Sequence, residues 1–417
     1  MTIASSAPGP LYSRRAETVR RTLADTGLDA LLVTHPPNLR YLTDFDGSVG
    51  ALLLTLSNAA LIVDGRYITT ARDRVAASGE LRWVTVELAA RSLEEGVIDT
   101  IGQTPARTIG VEAAAMTLSR FDRLNALLGA RDGQPGVRLF PTERIVERAR
   151  VIKDADEVAT FRKAAAMLSA VAARVLDAVG PGRSELEVAV DIDSFLRQAG
   201  FSKPAFDTIV ASGPNSALPH ARPGVRRLLP GDSVVLDFGG VYDGYCVDLT
   251  RTVQLSPATD AFLRTFAAVR AAHSAAIAAI RPGLKASLVD AAARAVLTAH
   301  GLGDAFVHGT GHGLGLEVHE EPRVTRPGSV AMDETLEPGM VFTVEPGAYL
   351  PGAHGVRIED DVVVTAGGCD VLTSVPIDPI MTPPAPRPGS GPTLSEVEGP
   401  DSGNPGGAAG RRGPAGE

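Results

Sequence analysis

An internal repeat constrains the fold of this chain more than any single motif does. The segments PGRSELEVAVDIDSFLRQAG (181–200) and PGLKASLVDAAARAVLTAHG (282–301) both begin with Pro-Gly and end with Gly, and a shift of 101 residues superimposes them. Two amphipathic helices can also resemble each other by chance. If the duplication is real, it predicts two related halves with a cleft where they meet, and sites are common in such clefts.

Chain length and local sequence composition predict two domains and a tail. A chain of 417 residues with 44% hydrophobic content is too long for one ordinary core. Residues 13–147 alternate helix-like segments with short β-prone runs such as LDALLVTH and GALLLTL, which indicates a small α/β domain. Residues 152–376 contain the repeat and form the second domain. Residues 382–417 are rich in Pro, Gly and Ser, so we expect a disordered tail without an assignable function.

The helices of the second domain have clear start signals. Three predicted helices begin with a polar capping pair, namely Asp154 with Glu157, Ser184 with Glu187, and Ser287 with Asp290. The first of them, about 25 residues long, ends at Gly180. In each half the helices are followed by strand-like segments that contain acidic residues, and these segments hold the candidate chemistry.

Composition excludes several classes of protein. The net charge of −9 is mild and leaves no basic stripe for a phosphate backbone, so we expect no nucleic-acid partner. The two cysteines, Cys246 and Cys369, exclude a disulfide framework and favour a reducing, cytoplasmic location. Neither the N-terminus nor any internal run has the apolar character of a signal peptide or of a bilayer span, so we expect no membrane association.

Four acidic residues interrupt apolar, strand-like runs, two in each half. The first half has SVVLDFGGVYDGYCVDLTRT, which predicts a β-hairpin, and the second has MVFTVEPGAYLPGAHGVRIEDDVVV. The acids are Asp237, Asp248, Glu345 and Glu359. An unpaired carboxylate buried in a sheet costs several kcal/mol. Each acid could reach water at a strand end, or pair with Arg251 or Arg357, but four acids in similar places favour a shared cation.

Four histidines lie close to these acids in the sequence. HGTGHGLGLEVHEEP contributes His308, His312 and His319, and ASGPNSALPHARPG contributes His220. A single histidine is most often a hydrogen-bonded core or surface residue, but these are four of eight. Carboxylate oxygens with an imidazole nitrogen favour manganese, iron, cobalt or zinc. Four acids and one imidazole would give five ligands, enough for two metal ions that activate water and polarise a carbonyl.

Motifs along most of the chain resemble those of the Xaa-Pro peptidases, aminopeptidase P and prolidase. This family shares a duplicated pita-bread catalytic domain with methionine aminopeptidase and creatinase. The resemblance covers about residues 14–376 and rests on SGPNSALPH, LDFGGVYDGYCVDLTRT, HGTGHGLGLEVHEEP, FTVEPGAYLPG and GVRIEDDVVVT, which occur in family order. It implies an α/β (α+β) chain, in which a small creatinase/prolidase-like domain precedes a pita-bread domain.

The resemblance also implies a role for each candidate residue. The implied metal ligands are Asp237, Asp248, His312, Glu345 and Glu359. The implied residues of the substrate pocket are His220, His308 and His319, with Glu345 as the proton carrier and Arg357 near the second metal. Phe206 and Leu218 are candidates for the apolar wall. Glu317, Glu320 and Glu321 are expected to be surface acids or to support the ligands from outside.

The expected reaction is hydrolysis of the Xaa-Pro bond at the N-terminus of dipeptides or short peptides by a metal-bridged hydroxide. Two divalent ions are implied, with manganese first and cobalt or zinc also compatible. The amide nitrogen of proline has no hydrogen, so a dedicated pocket is needed. The resemblance further implies a homodimer. No residue in the sequence decides between dipeptides and longer peptides.

Three other functions are compatible with parts of the sequence. Methionine aminopeptidase has the same five ligands, but the α/β domain before residue 150 argues for the Xaa-Pro branch. Creatinase shares both domains and hydrolyses a guanidine compound without metal, and the intact ligand set argues against that reaction. The third alternative is a catalytically inactive binding scaffold, and such proteins usually lose ligands.

Overall fold

The computed structural model describes residues 11–130, 136–329 and 332–381, so the predicted tail at 382–417 lies outside the described residues. The helices are α1 (Leu11–Thr26), α2 (Pro36–Thr43), α3 (Ile68–Ala77), α4 (Leu93–Gly102), α5 (Leu118–Gly129), α6 (Ile145–Val151), α7 (Ala155–Ala178), α8 (Glu185–Ala199), α9 (Asp260–Ala279) and α10 (Ala286–Ala299). None of these helices combines the length and the apolar character that crossing a membrane requires.

The strands fall into an N-terminal group and a C-terminal group. The first comprises β1 (Ala30–Val33), β2 (Ala51–Thr55), β3 (Ala59–Val63), β4 (Val84–Leu88), β5 (Thr108–Glu112) and β6 (Arg138–Thr142). The second comprises β7 (Lys203–Pro204), β8 (Ile209–Ser212), β9 (Ser233–Tyr242), β10 (Tyr245–Leu255), β11 (Gly311–Gly313), β12 (Glu320–Val324), β13 (Val341–Val344), β14 (Gly347–Leu350), β15 (His354–Arg357), β16 (Asp360–Val364), β17 (Cys369–Val371) and β18 (Ile380–Met381).

A six-stranded sheet in the order β4-β3-β2-β1-β5-β6 organises the N-terminal region. Strand β1 pairs antiparallel with β2 and parallel with β5, so the sheet is mixed. Leu31 and Val33 join a core with Leu23 of α1, whereas Leu32 joins a second core with Val97 of α4. Because neighbouring strand residues point to opposite faces, helices on both faces explain why the whole run ALLV is buried.

The duplication predicted from the sequence is present in the C-terminal region. In the first half, α7 and α8 pack together beside the sheet β18-β10-β9-β7, and β8 also pairs with β9. In the second half, α9 and α10 pack together beside the sheet β12-β11-β13-β16-β17. The positions that the 101-residue shift aligns are buried alike, since Val188, Val289, Leu196 and Leu297 have no exposed surface.

Two of the three predicted capping pairs form. The Asp154 carboxylate accepts from the amide of Glu157, whose side chain accepts from the Asp154 amide, and this closes the start of α7. Ser184 and Glu187 make the same reciprocal pair at the start of α8. These caps are local, so a spacing of three residues was enough to predict them.

The third predicted capping pair is wrong. Helix α10 begins after Lys285, which makes no side-chain cap hydrogen bond. Ser287 instead bonds to Asp333, with 2.7 Å between the hydroxyl and a carboxylate oxygen. Asp290 accepts from the amide and hydroxyl of Thr310. Partners distant in the chain compete with the local cap. Because the side chains of Ser287 and Asp290 are both buried, they bond to these distant partners instead.

The two predicted acid-bearing hairpins differ in regularity. Strands β9 and β10 form an uninterrupted antiparallel hairpin, with Asp237 opposite Thr250. The second hairpin is divided into the pairs β13–β16 and β14–β15, and Glu345 and Glu359 lie in the breaks. The expectation that all four acids occupy strand interiors is therefore wrong for these two. Pro346 lacks an amide hydrogen, so the ladder cannot continue through it.

The buried positions of the repeat predict a matched stability effect. Val188→Ala and Val289→Ala should each lower the free energy of unfolding by about 2 kcal/mol, because two methyl groups leave a closed core. Val190→Ala, on the exposed face of α8, should change it by less than about 0.5 kcal/mol; Val190 is 59% exposed. Urea unfolding of the three variants measures the differences. Equal midpoints for all three would contradict the packing described for the repeat.

Candidate metal centre

The five predicted metal ligands line one cavity of about 640 Å³. They come from both halves of the repeat, Asp237 on β9 and Asp248 on β10 from the first, and His312 on β11, Glu345 after β13 and Glu359 before β16 from the second. Glu359 is 2% exposed and Asp248 is 5% exposed. The fold thus brings together acids from positions 237, 248, 345 and 359 of the chain.

Donor atoms of these residues lie within reach of one another. Asp248, His312 and Glu359 each offer one ligand atom within 4.8 Å of the others. His312 Nε2 lies 3.5 Å from Glu345 Oε1 and 4.0 Å from Asp248 Oδ2. The geometry is that of a cluster of oxygen donors around one imidazole nitrogen. The role of the five residues as ligands stays a prediction, and the donor set fits a divalent cation.

The electrostatics of the cluster favour a cation. Burial, and then the neighbouring acids, raise the pKa of Asp248 and of Glu359 well above the ordinary values. Burial raises the pKa of Glu345 to about 7. Burial and the nearby His319 lower the pKa of His312 to about 3, so its imidazole is neutral. A divalent ion would offset the repulsion among the carboxylates, and the free nitrogen of the neutral imidazole could coordinate it.

Arg357 pairs with only one of the acids. Its Nη2 donates to Asp237, and its Nε donates to Thr250 Oγ1 at 3.2 Å. Thr250 in turn donates to Glu359 Oε2 at 2.6 Å. Pairing with an arginine therefore accounts for Asp237 but leaves the others unpaired. Arg251 does not pair with any of the four side chains, since its guanidinium bonds to the neighbouring Asp360.

A short hydrogen-bonded chain leads from Arg357 to His308. Arg357 Nη1 donates to the hydroxyl of Tyr349 at 2.7 Å, and that hydroxyl lies 2.8 Å from His308 Nε2. His308 Nδ1 lies 2.7 Å from the carbonyl oxygen of Gly309, so Nδ1 carries the hydrogen and Nε2 accepts from Tyr349. Burial lowers the pKa of His308 to about 4 and raises that of Tyr349 to about 12, which favours this arrangement.

The other two predicted pocket histidines, His220 and His319, also line the cavity, and both are exposed. The ring of His319 packs edge-on against that of His312, with 4.4 Å between the centroids. Phe206 lines the cavity as expected. Leu218 does not contribute to the lining and is 56% exposed, so its predicted role is wrong.

Two buried acids that the sequence did not single out for this purpose hold the loops of the site. Glu185 on α8 accepts from the amide and hydroxyl of Ser212 at 2.8 and 2.7 Å and from the amide of Gly224 at 3.2 Å, and so holds the loop that contains His220. Asp290 on α10 accepts from the amide of Thr310 at 3.0 Å. The two repeated helices therefore each provide an acid that fixes a loop of the cavity.

Glycines on both sides of His312 allow strand β11 to approach its neighbours. A Cβ atom on Gly311 would lie 1.9 Å from the carbonyl oxygen of Thr343 on β13. One on Gly313 would lie 2.2 Å from the carbonyl oxygen of Glu321 on β12. Both contacts are with backbone, which cannot move aside, so glycine is required for β11 to sit in the sheet with His312 facing the acids.

Tyr349 is the clearest member of the site that the sequence did not predict. In GAYL an aromatic residue is typical of a packed strand, and the residue is indeed buried. Its hydroxyl group gave the only signal, because a buried tyrosine needs a hydrogen-bond partner. The partners, Arg357 and His308, lie 8 and 41 residues away.

Known proteins resemble the chain over nearly all of the described residues. Residues 159–366 match the model of metallopeptidase family M24, and residues 15–152 match the creatinase/prolidase N-terminal domain. The uncharacterized peptidase YqhT of Bacillus subtilis is 36% identical over 88% of this chain and 99% of its own. The probable dipeptidase PepE of Mycobacterium tuberculosis is 37% identical over 89% and 97%. The structure of an Xaa-Pro dipeptidase from Bacillus anthracis has a TM-score of 0.82 and 34% identity, and covers 88% of this chain and 99% of that chain.

The raised pKa of Asp248 predicts a change of stability with a definite sign. Because ionisation of this buried group opposes folding near neutral pH, Asp248→Asn should leave the metal-free protein at least as stable as the wild type. A divalent ion at roughly 100 times its Kd should stabilise the wild type by about 3 kcal/mol and the variant much less. Thermal unfolding with and without manganese measures both effects.

Asp243→Asn is the matched control, because Asp243 lies at the turn of the same hairpin with φ 45°, where asparagine is well tolerated. It should respond to the metal as the wild type does. If Asp248→Asn kept the full stabilisation by metal, Asp248 would not be a ligand.

Proposed function

The chain belongs to metallopeptidase family M24, and we propose that it hydrolyses the bond before proline in short peptides. A creatinase-like N-terminal domain precedes the pita-bread catalytic domain. The observation that carries the proposal is the cluster of four acids and one neutral imidazole lining a cavity of about 640 Å³. The resemblance to an Xaa-Pro dipeptidase of B. anthracis over 88% of the chain supports the choice of bond.

The residues proposed to hold metal are Asp237, Asp248, His312, Glu345 and Glu359. Four carboxylates and one imidazole would be enough to hold two divalent ions. Manganese is our first choice because oxygen donors dominate, and cobalt or zinc fit the imidazole as well. When bound, such ions would supply Lewis acidity toward the scissile carbonyl and lower the pKa of water.

Glu345 is the proposed proton carrier. It lines the cavity at a break between two strands, and its Oε1 accepts a weak hydrogen bond of 3.4 Å from Thr343 Oγ1. This leaves carboxylate oxygen lone pairs free to take a proton from the attacking water. The leaving nitrogen of proline must gain a proton when the bond breaks, and the same carboxylate can deliver it.

The three histidines have different proposed roles. Both ring nitrogens of His308 are engaged, by Tyr349 and by the carbonyl of Gly309, so His308 fixes Tyr349 rather than donating to the substrate. Through Tyr349 it also fixes Arg357, whose other arm bonds to Asp237. His220 and His319 are exposed in the cavity, so they are the histidines available to contact the reacting amide.

The wall of the cavity suits a proline residue. Phe206, Ile209, Pro219 and Val318 give it apolar surface. A proline ring offers no amide hydrogen, so it gains more from apolar contact than from a hydrogen-bond acceptor.

Two arginines on the cavity wall favour a short substrate. Arg222 and Arg323 line the cavity, and in the described part of the chain no carboxylate forms an ion pair with either of them. In an Xaa-Pro dipeptide the C-terminal carboxylate belongs to the proline that directly follows the scissile bond. A guanidinium group can bind this carboxylate with two hydrogen bonds. We therefore propose dipeptides as the preferred substrates, with longer Xaa-Pro peptides as the alternative.

Two further proposals concern the protein as a whole. A homodimer is proposed from the family resemblance alone. A cytoplasmic location is proposed from the cysteine content, because both cysteines are free.

Turnover of defined peptides tests the function. Metal-stripped protein should be inactive, and manganese, cobalt or zinc added singly should restore release of the N-terminal residue from an Xaa-Pro dipeptide. The C-terminal amide of the same dipeptide should have a kcat/KM at least about tenfold lower, because it removes one charge from an ion pair with arginine. An Xaa-Ala dipeptide is the control for the apolar pocket and should be the poorer substrate.

Several outcomes would contradict parts of this proposal. Full turnover after metal removal would exclude the metal centre. Equal rates on the dipeptide and its amide would exclude the dipeptide preference and favour an aminopeptidase. Equal rates on Xaa-Pro and Xaa-Ala would exclude the specificity for proline.

Tyr349→Phe tests the chain of hydrogen bonds behind the metal centre. The ring keeps its packing, but Arg357 and His308 each lose a partner, so kcat should fall by about tenfold or more while the bound metal per protein stays unchanged. His308→Ala should behave similarly. Tyr67→Phe is the control, since the Tyr67 hydroxyl bonds to exposed Ser48 at 2.8 Å. Kinetics together with metal analysis separate the cases, and an unchanged kcat would exclude the chain from catalysis.

A further inference from the structure

One wall of the cavity is attached to the N-terminal region by buried charges. The connection between β11 and β12, residues 314–319, is called the cavity loop below. It brings Val318 and His319 to the cavity. The acids beside them, Glu317 in the loop and Glu320 at the start of β12, turn the other way, toward residues 35–153.

Arg150 on α6 is the centre of this attachment. It is 2% exposed, and its Nη2 donates to Glu317 Oε2 at 2.8 Å and also to Glu320 Oε1. The ammonium group of Lys153 lies 3.3 Å from the other oxygen of Glu320. His35 Nε2 lies 3.0 Å from Glu317 Oε1. Both acids are therefore held from two sides.

Arg150 is itself fixed by the N-terminal sheet. Its Nη1 donates to Asn38 Oδ1 at 2.6 Å, and the amide of Asn38 donates to Glu112 at 2.7 Å and to Glu147 at 2.6 Å. Glu112 on β5 also accepts from the backbone amide of His35 at 2.8 Å. A continuous path of hydrogen bonds thus runs from the N-terminal sheet through Arg150 to the cavity loop.

The carboxylate of Glu320 determines the path of the cavity loop. It accepts from the amide of Glu317 at 3.0 Å, so the loop folds over it. A Cβ atom on Gly315 would lie 2.2 Å from this carboxylate, which shows how closely the backbone passes. Glu320 was expected to be a surface or supporting acid, and its side chain is 7% exposed. A charge buried to this extent holds its position only while its partners remain.

We propose that Arg150 is a positioning residue for substrate binding, through which the N-terminal region sets the wall formed by Val318 and His319. The proposal rests on the proposed function, because it concerns the same cavity. Without Arg150 the two acids would turn toward water, and the cavity loop would follow them. The proposed metal ligands would stay in place, since Asp237, Asp248 and His312 lie on paired strands, and Glu345 and Glu359 directly adjoin the paired strands β13 and β16.

Arg150→Met and Arg15→Met form a matched pair. Arg15 on α1 is another buried arginine that joins the N-terminal region to the catalytic domain, with Nη2 at 2.9 Å from Asp154 and 3.3 Å from Glu157. Arg15 and its two partners, Asp154 and Glu157, do not line the cavity. Both substitutions remove a buried charge between the two regions, so both should lower the unfolding midpoint. Only Arg150→Met should alter the kinetics.

The expected kinetic effect is a separation of KM from kcat. On an Xaa-Pro dipeptide, Arg150→Met should raise KM by about tenfold and change kcat by less than about threefold, with unchanged metal per protein. Arg15→Met should change neither by more than about twofold. Arg150→Lys keeps the positive charge but loses the forked guanidinium group, so its KM should lie between those of the wild type and Arg150→Met.

Glu317→Gln provides the test if Arg150→Met does not fold. Glu317 is 37% exposed, so this variant should fold, and KM should rise in the same direction by a smaller factor. Equal KM values for wild type, Arg150→Lys and Glu317→Gln would overturn the proposal, as would equal changes in Arg150→Met and Arg15→Met. Failure of the wild type to cleave any Xaa-Pro peptide would instead refute the proposed function.

Discussion

Four carboxylates from the two halves converge in one cavity, and the surrounding contacts of the catalytic domain hold them close together despite their mutual repulsion. The main chain holds the acids together, since the amide of Glu359 donates to the carbonyl of Thr250 on the opposite half at 3.1 Å. Arg357 compensates Asp237, and the neutral His312 adds a nitrogen donor without adding charge. Repulsion among these rigidly held carboxylates lowers the stability of the metal-free domain, and a bound divalent cation would remove that repulsion. Metal binding is therefore expected to raise the stability of the domain.

The features that the sequence predicted well are those with local causes. Helix α7, its cap at Asp154 and the hairpin that carries Asp237 and Asp248 each follow from spacings within one element. The break in the second hairpin also had a local signal, because Pro346 follows Glu345 directly. Weighting that proline as a ladder breaker would have placed Glu345 outside the strands, whereas Glu359 has no such neighbour.

The features that the sequence did not predict depend on partners distant in the chain. Tyr349 and Asp290 look like an ordinary core aromatic residue and a cap, and only the fold shows that they bond to His308 and Thr310. Leu218 was a candidate for the apolar wall of the cavity, yet it is 56% exposed and does not line the cavity. Hydrophobic type predicts burial in general, but it does not specify which surface a loop residue faces.

The two walls of the cavity are held by different parts of the chain, although the two halves repeat the same arrangement of helices and sheet. The loop that contains His220 is fixed by Glu185, which belongs to the repeat itself. The loop that contains His319 is fixed by Arg150, which lies just before the catalytic domain. With Arg150 in the proposed positioning role, a change in the N-terminal region moves this wall without moving the proposed metal ligands. This separates control of substrate binding from control of the metal centre, and it gives the N-terminal domain a role beyond adding buried surface.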